Sequence, residues 1–473
     1  MVWRSALHGL IVLAVFTGGL SACVSYDAKK QIQSASKDTS AFTGDQLALA
    51  TTPAQRQQRQ ALTQRLLSAP LGQKEAVDVF LVNSPALQTL LAQHWAQSAS
   101  VAQAGRISNP TLAIERIVSG NESEWSGLLS VGLLDILTLP QRADLAKRQL
   151  VENQIRLSSD VVDQVTLVRQ AWVRAVAANA TLSYAQRVAE AAQASDQLAA
   201  RMLAAGNFNA NARSRHQLFH AQSQMQLAMA TQAKLSRTEE LVRLLGLDAS
   251  QASQLQLPDR LPELPKATMD TQAVALAAGQ QRWDIQMAKA QLETAARAQG
   301  LMGISSWLDV ELTVISGKVT GNDSVTKRRG AEIGVKLPLF DAGDMRRSQM
   351  NAQTLAAINR LEATAREAAS SVRENHAAYL TAYSIARQYR DEVLPLQQRI
   401  ADENVLRYNA MQISVFDLLS DAASHNAAVV AAIEAQQQFW LSEAALQSTL
   451  VGRPLAVVLS ADRQNNNSSA AAH

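Results

Sequence analysis

Residues Glu332–Arg347 read EIGVKLPLFDAGDMRR, and the two ends of that stretch obey different periods. Ile333, Val335, Leu337 and Leu339 alternate with Glu332, Gly334 and Lys336, as in a strand whose faces meet different surroundings. From Met345 the chain runs to Asn409 with no glycine and one proline, Pro395, where a kink is expected. Apolar residues there step by three and four: Ile358, Leu361, Ala365, Val372, Tyr379. A return helix is predicted over Val415–Leu450, with Leu418, Ala422, Val429, Ile433 and Trp440 at the same coiled-coil spacing. Upstream, Val310, Leu312 and Val314 alternate with Asp309, Glu311 and Thr313, predicting a first strand. The polar stretch Gly317–Gly330 between the two is read as a loop.

The same grammar occurs about 200 residues earlier. SVGLLDILTLPQR (Ser130–Arg142) matches EIGVKLPLFDAGDMRR, with Gly132 against Gly334. LAAGNFN (Leu203–Asn209) matches YNAMQIS (Tyr408–Ser414), and Gly246 matches Gly452. NSPALQTLLAQ (Asn83–Gln93) faces RWDIQMAKAQ (Arg282–Gln291). Such self-similarity marks a repeat architecture. Strands are expected over Asn109–Gly120 and Gly127–Leu139. A helix from Arg142 to about Leu203, free of proline and glycine, would be roughly 90 Å long, and it returns over Ala210–Leu245. Trp125 and Trp307 fall at strand ends, where they could belong to an aromatic girdle or to ordinary packing.

The expected organisation is therefore a signal segment over 1–22, an extended or partly ordered leader over 23–70, and repeat one over 71–256. LPDRLPELP (Leu257–Pro265) is a proline-rich linker. Repeat two spans 266–455, and the polar tail 456–473 is expected to be disordered. The fold class is mainly α with a small β part.

Four strands cannot close a barrel, and an open edge in lipid leaves backbone groups without partners. Either the strands form a soluble sheet, or several chains pool them; three chains would supply twelve, with closed symmetry.

The single cysteine, Cys23, follows the apolar run Leu10–Phe16 and the residues Leu20-Ser21-Ala22. A basic start, a short apolar core and small residues describe a secretory signal. The cysteine at the cut resembles a lipoprotein lipobox, which would make Cys23 the acylated N-terminus; otherwise the thiol is incidental to an ordinary signal. Val24 in place of Asp favours the outer membrane on that resemblance. Net charge is only +3, too balanced to suggest nucleic acid. The sequence carries no glycine-rich phosphate loop, nucleophile elbow, HExxH or Cys/His cluster, so no enzyme and no cofactor are expected.

From about Pro70 to Leu455 the sequence resembles the TolC-type outer membrane efflux proteins, in their lipoprotein branch. The resemblance rests on Cys23, the two Asn-Pro and Asn-Ser-Pro sites at Asn109 and Asn83, LPLFDAGDMRR, LAAGNFN and RYNAMQISVFDLL (Arg407–Leu419), and on their order. It implies a homotrimer with a twelve-strand barrel continued by a twelve-helix barrel, lying in outer membrane lipid with a long periplasmic extension. The implied function is the exit duct of a tripartite pump, passing drugs, metal ions or other small solutes. A periplasmic adaptor would dock on hairpin tips at Gly206, Asn207, Met411 and Gln412, and an inner-membrane transporter would act indirectly. Asp417 matches the first acidic ring of the family's periplasmic gate. The second ring position is Ser420, with Asp421 beside it, and Tyr408 matches the tyrosine of the closing links, whose arginine partner is replaced by Ile413. Met411 stands where copy one keeps the tip glycine. Three Asp417 carboxylates around an axis would repel or hold a cation. Equally, Ser414-x-x-Asp417 is a capping-box pattern. His216 and His220, at i and i+4, are weak candidates for a metal and otherwise two exposed histidines. The rival reading is a periplasmic coiled-coil adaptor or envelope scaffold lipoprotein without a pore.

Overall fold

The computed structural model describes residues 26–44, 47–120, 122–270, 274, 282–305, 309–320, 324–336 and 339–454. Cys23 and the rest of the segment read as an export signal, Trp307 and the tail 456–473 lie outside the described residues. The chain divides into two units: one built from 92–157 and 285–366 with the N-terminal segment up to Gln31, the other from 32–91, 158–284 and the segment from Glu367 onward.

The first unit carries an antiparallel sheet in the order β1-β2-β3-β4: Thr111–Ser119, Glu122–Gly132, Asp309–Thr320 and Val325–Lys336. Its register aligns rows across all four strands. Leu112 faces Leu129, Leu129 faces Val314, and Val314 faces Ala331. Two expectations are corrected here. The stretch Gly317–Gly330 is mostly strand, because Gly317, Lys318, Val319 and Thr320 pair with Arg328, Lys327, Thr326 and Val325. β2 begins at Glu122 rather than Gly127 and ends at Gly132. After it the sequence no longer alternates, and Leu133–Leu137 forms a short helix, α6. Its Asp135 accepts from Ser108 Oγ at 2.6 Å and from Arg142 Nη1 at 3.0 Å, while Arg142 also donates to the carbonyls of Ala104 and Arg106. A carboxylate and a guanidinium thus close the base of the first β-hairpin. Arg148 further bridges Asp144 and Glu293.

The N-terminal segment is helical rather than extended or partly ordered: α1 (Ala28–Asp38), which begins in the first unit, then α2 (Ser40–Thr43) and α3 (Pro53–Leu66) in the second. A polar composition does not prevent this, because Ile32, Ala35 and Phe42 are buried and Thr52 and Gln55 form a capping box with Pro53 at the first helical position. Next come α4 (Gln73–Asn83) and α5 (Pro85–Ala104), whose later part belongs to the first unit.

Four long helical runs follow the strands. α7 (Leu139–Ala204) has 66 residues and α8 (Ala210–Leu245) has 36; α9 (Ala249–Ala252) and α10 (Trp283–Ser305) follow. α11 (Asp344–Gln388), a π turn (Tyr389–Val393) and α12 (Leu394–Asn409) have 45, 5 and 16 residues, together matching α7. α13 (Val415–Leu450) has 36, like α8. The irregularity expected at Pro395 takes the form of that π turn, since proline supplies no N–H to the preceding turn and its ring crowds it.

A buried aromatic cluster holds α11 to α13. Phe439 is fully buried, with Tyr379, Tyr383 and Trp440 rings 5.5, 5.7 and 5.1 Å from it. Trp172 on α7 is buried and donates from Nε1 to the Leu71 carbonyl at 2.7 Å. Arg453 and Asp163 form an ion pair. The chain has no helix or strand over 255–270, and each of the three proline carbonyls there accepts a bond from a helix side chain: Asn179 to Pro258, Gln436 and Trp440 to Pro262, Tyr383 to Pro265.

Candidate functional site

Two places carry the functional expectations: the ends of the helical hairpins and the faces of the sheet.

At the first hairpin end α7 stops at a Schellman turn. Gly206 has φ +77°, its N–H reaches the Leu203 carbonyl at 3.0 Å, and the Asn207 N–H reaches Met202 at 2.9 Å. Asn209 then caps α8, accepting from the Ala212 N–H at 2.8 Å. The second end has the same construction. Met411 has φ +60°, its N–H reaches Tyr408 at 2.9 Å, the Gln412 N–H reaches Arg407 at 2.8 Å, and Ser414 caps α13. Met411 is 94% exposed. Gly206, Asn207, Met411 and Gln412 therefore all lie exposed at the hairpin ends.

Asp417 closes a capping box. Its carboxylate accepts from Ser414 Oγ at 2.7 Å and from the Ser414 N–H at 3.0 Å, while its own N–H donates to Ser414 Oγ at 3.3 Å. The Ser414 hydroxyl, and then its N–H, hold the Asp417 carboxyl below the usual carboxylate range. Asp421 lies one turn further along α13 and accepts from the Asn404 amide on α12. Tyr408 is half-buried at the end of α12. Among the described residues no hydrogen bond joins Tyr408 to Asp417 or Asp421.

His216 is buried, not exposed as expected, and its Nδ1 lies 2.8 Å from Ser195 Oγ. Burial pushes its pKa down, with the Asp196 charge opposing. Asp196 is itself ion-paired to Arg213, whose donated bond lowers the carboxyl pKa. Among the described residues no group of three ligating side chains forms. The Arg213–Asp196 pair, which ties α8 to α7 beside the tip, went unread because its partners are 17 residues apart around a turn and show no motif.

The register sorts the sheet side chains into two faces. One carries Leu112, Ile114, Val118, Trp125, Leu129 and Val131 from the first hairpin, then Val310, Leu312, Val314, Ile333 and Val335 from the second. The other carries Glu115, Glu124, Ser126, Ser130, Glu311, Thr313, Arg328 and Glu332. The apolar face is open rather than packed against a core. Ser126 is buried, whereas Trp125, Leu129, Ile114 and Ile333 are 52%, 43%, 72% and 64% exposed. Across the polar face Arg328 reaches Glu124 at 3.0 Å. It crosses β3 near Gly317, which has no side chain there.

No family model matches the sequence. No curated protein matches it either. Solved structures do. A membrane protein from Pseudomonas aeruginosa superposes with a TM-score of 0.67 at 20% identity, covering 82% of this chain and 93% of its own. The outer membrane protein VceC from Vibrio cholerae gives 0.66 at 16% identity, covering 85% and 98%. The CmeC outer membrane channel of Campylobacter jejuni gives 0.65 at 14% identity, covering 87% and 89%. At these identities the likeness lies in the course of the backbone, over most of both chains: this protein has the fold of the TolC-type outer membrane channels.

Proposed function

We propose that this chain is one subunit of an outer membrane exit duct for small solutes. The observation that carries the reading is a sheet whose apolar face lies open, with Leu112, Ile114, Val118, Leu129, Val314 and Ile333 all exposed. In water such a face is a liability. Against hydrocarbon it is what a barrel wall requires, with alternating side chains pointing to lipid and to a lumen. β1 and β4 are the margins of this sheet, and their outward backbone groups need partners inside a bilayer. Three copies pooling four strands each would satisfy them, with β4 of one chain beside β1 of the next. The two helical hairpins of each chain, which we read as structural repeats, would continue the barrel into the periplasm.

On this reading the acylated Cys23 anchors the chain in the outer membrane. The tip turns at Gly206, Asn207, Met411 and Gln412 offer a periplasmic adaptor short, exposed backbone loops. Asp417, Asp421 and Tyr408 lie at the narrow end, where Asp417 would serve as cap and as ring charge together. Drugs and metal ions remain alternative cargoes. The fold of channels and the absence of catalytic motifs in the sequence both support a conduit over an enzyme.

Purification in detergent, mass measurement and single-channel recording in planar bilayers test the proposal together. A trimeric mass with discrete conductance is expected, and Asp417→Ala should raise conductance or relieve cation block. A water-soluble monomer without conductance would return the chain to the scaffold reading.

A further inference from the structure

One feature of the sheet does not serve an apolar wall. Arg116 faces Trp125, Trp125 faces Lys318, and Lys318 faces Lys327, so three cations and an indole form one row across four strands. Arg329 joins them from the adjacent row, opposite Ser316. All four cations lie on the apolar face and are exposed. The acidic side chains of the sheet that could neutralise them, Glu115, Glu122, Glu124, Glu311 and Glu332, fall at register positions on the other face. None of the four is ion-paired among the described residues; Arg116 lies over the Trp125 ring, 5.3 Å from its centroid. The row lies two to three residues from the strand ends at Ser119, Glu122, Thr320 and Val325, about 7–10 Å along the strands. A cation within a lipid-facing surface is costly at mid-bilayer and tolerable near the interface.

We propose that this row binds the phosphate groups of anionic lipid in the leaflet at the hairpin-turn end of the sheet. The proposal rests on the membrane-channel reading above. Charge complementarity selects the occupant. Four uncompensated cations beside exposed Leu, Ile and Val require an anion carried on an apolar body, and a phosphorylated lipid offers both. Arg116 stacked on Trp125 presents its planar fork sideways to a phosphate. Trp125 supplies an amphipathic ring at headgroup depth. In the closed barrel the row would repeat around the wall as a belt.

The test uses the full chain reconstituted into vesicles of phosphatidylcholine alone or phosphatidylcholine mixed with lipid A, followed by detergent extraction and measurement of lipid retained. Wild-type protein should retain lipid A preferentially, and Arg116→Gln, Lys318→Gln, Lys327→Gln and Arg329→Gln should weaken retention by about fivefold each. The control Arg328→Gln, on the opposite face, should leave retention unchanged. Excess inorganic phosphate distinguishes free anion from headgroup, and should not compete at concentrations where lipid A is retained. Equal retention by wild type and the quadruple variant, with conductance intact in both, would overturn the lipid site and leave the channel standing. Failure of the wild type to insert into either vesicle would overturn the channel reading and this inference with it.

Discussion

The two hairpins are matched in length and turn geometry yet differ in one residue at the tip. Gly206 and Met411 occupy the same left-handed position. At the opposite ends, by contrast, both hairpins keep glycine, at Gly246 (φ +68°) and Gly452 (φ +86°). Space explains the difference. A Cβ on Gly206 would meet nothing within 4 Å, so only the intrinsic strain of a left-handed residue opposes a side chain there, about 1–2 kcal/mol. A Cβ on Gly246 would lie 2.3 Å from Pro85 Cδ and 3.1 Å from Ser84 Cα, and one on Gly452 would lie 2.9 Å from the Asp284 nitrogen. Backbone conformation alone permits methionine; backbone conformation plus a neighbouring chain does not.

The strongest way to break this comparison is at the closed ends. Gly246→Ala and Gly452→Ala should each destabilise by about 3–5 kcal/mol, read as a fall in melting temperature. If either were silent, the packing of α8 on the start of α5, or of α13 on the start of α10, would not be what excludes a side chain. At the open tips the effects should be smaller and opposite in sign. Met411→Gly should stabilise by about 1 kcal/mol and Gly206→Met should destabilise by a similar amount, measured by denaturant midpoint. Equal and opposite shifts would establish that the two turns are energetically interchangeable. The caps come next: Asn209→Ala and Ser414→Ala should each cost about 1 kcal/mol, visible as fraying in hydrogen exchange of the first turn of α8 and α13. Smallest is the acid dependence of the second tip. Asp417 has its folded-state pKa depressed, so its contribution is present above the ordinary carboxylate range and is lost as pH falls through the folded value. Wild type should therefore lose hydrogen-exchange protection at the α13 start below about pH 4, and Asp417→Asn should flatten that response. Hairpin one, with Ala212 at the equivalent position, should show no such step.

How far these features could be read beforehand follows from the same physics. The helix ends were legible because helices this long leave marks: no glycine for some sixty residues in either copy, and in the second a Ser-x-x-Asp pattern just past the tip. Asp417 as a cap was legible from Ser414-x-x-Asp417 alone. The polar parts of the strands were not. Lys318, Thr320, Lys327 and Arg329 look like loop residues because the alternation rule assumes one apolar face throughout, and that face becomes basic near the turns. The N-terminal helices were missed for a related reason: a handful of buried residues such as Phe42 and Leu47 suffice to dock a polar segment onto a larger body. The matched couplings behind the tips, Ser195 to His216 in one hairpin and Asn404 to Asp421 in the other, use different residue types for the same task and leave no shared pattern.

The proline-rich connector has a mechanical consequence. Proline has no N–H, so at Pro258, Pro262 and Pro265 the segment can only accept, and the helices supply the donors from Asn179, Tyr383, Gln436 and Trp440. It acts as a strap cinched across α7, α11 and α13. Sliding of those helices past one another at this level would break a bond at every buckle. Any dilation of the helical assembly should therefore be borne beyond the strap, in the free lengths leading to the tips.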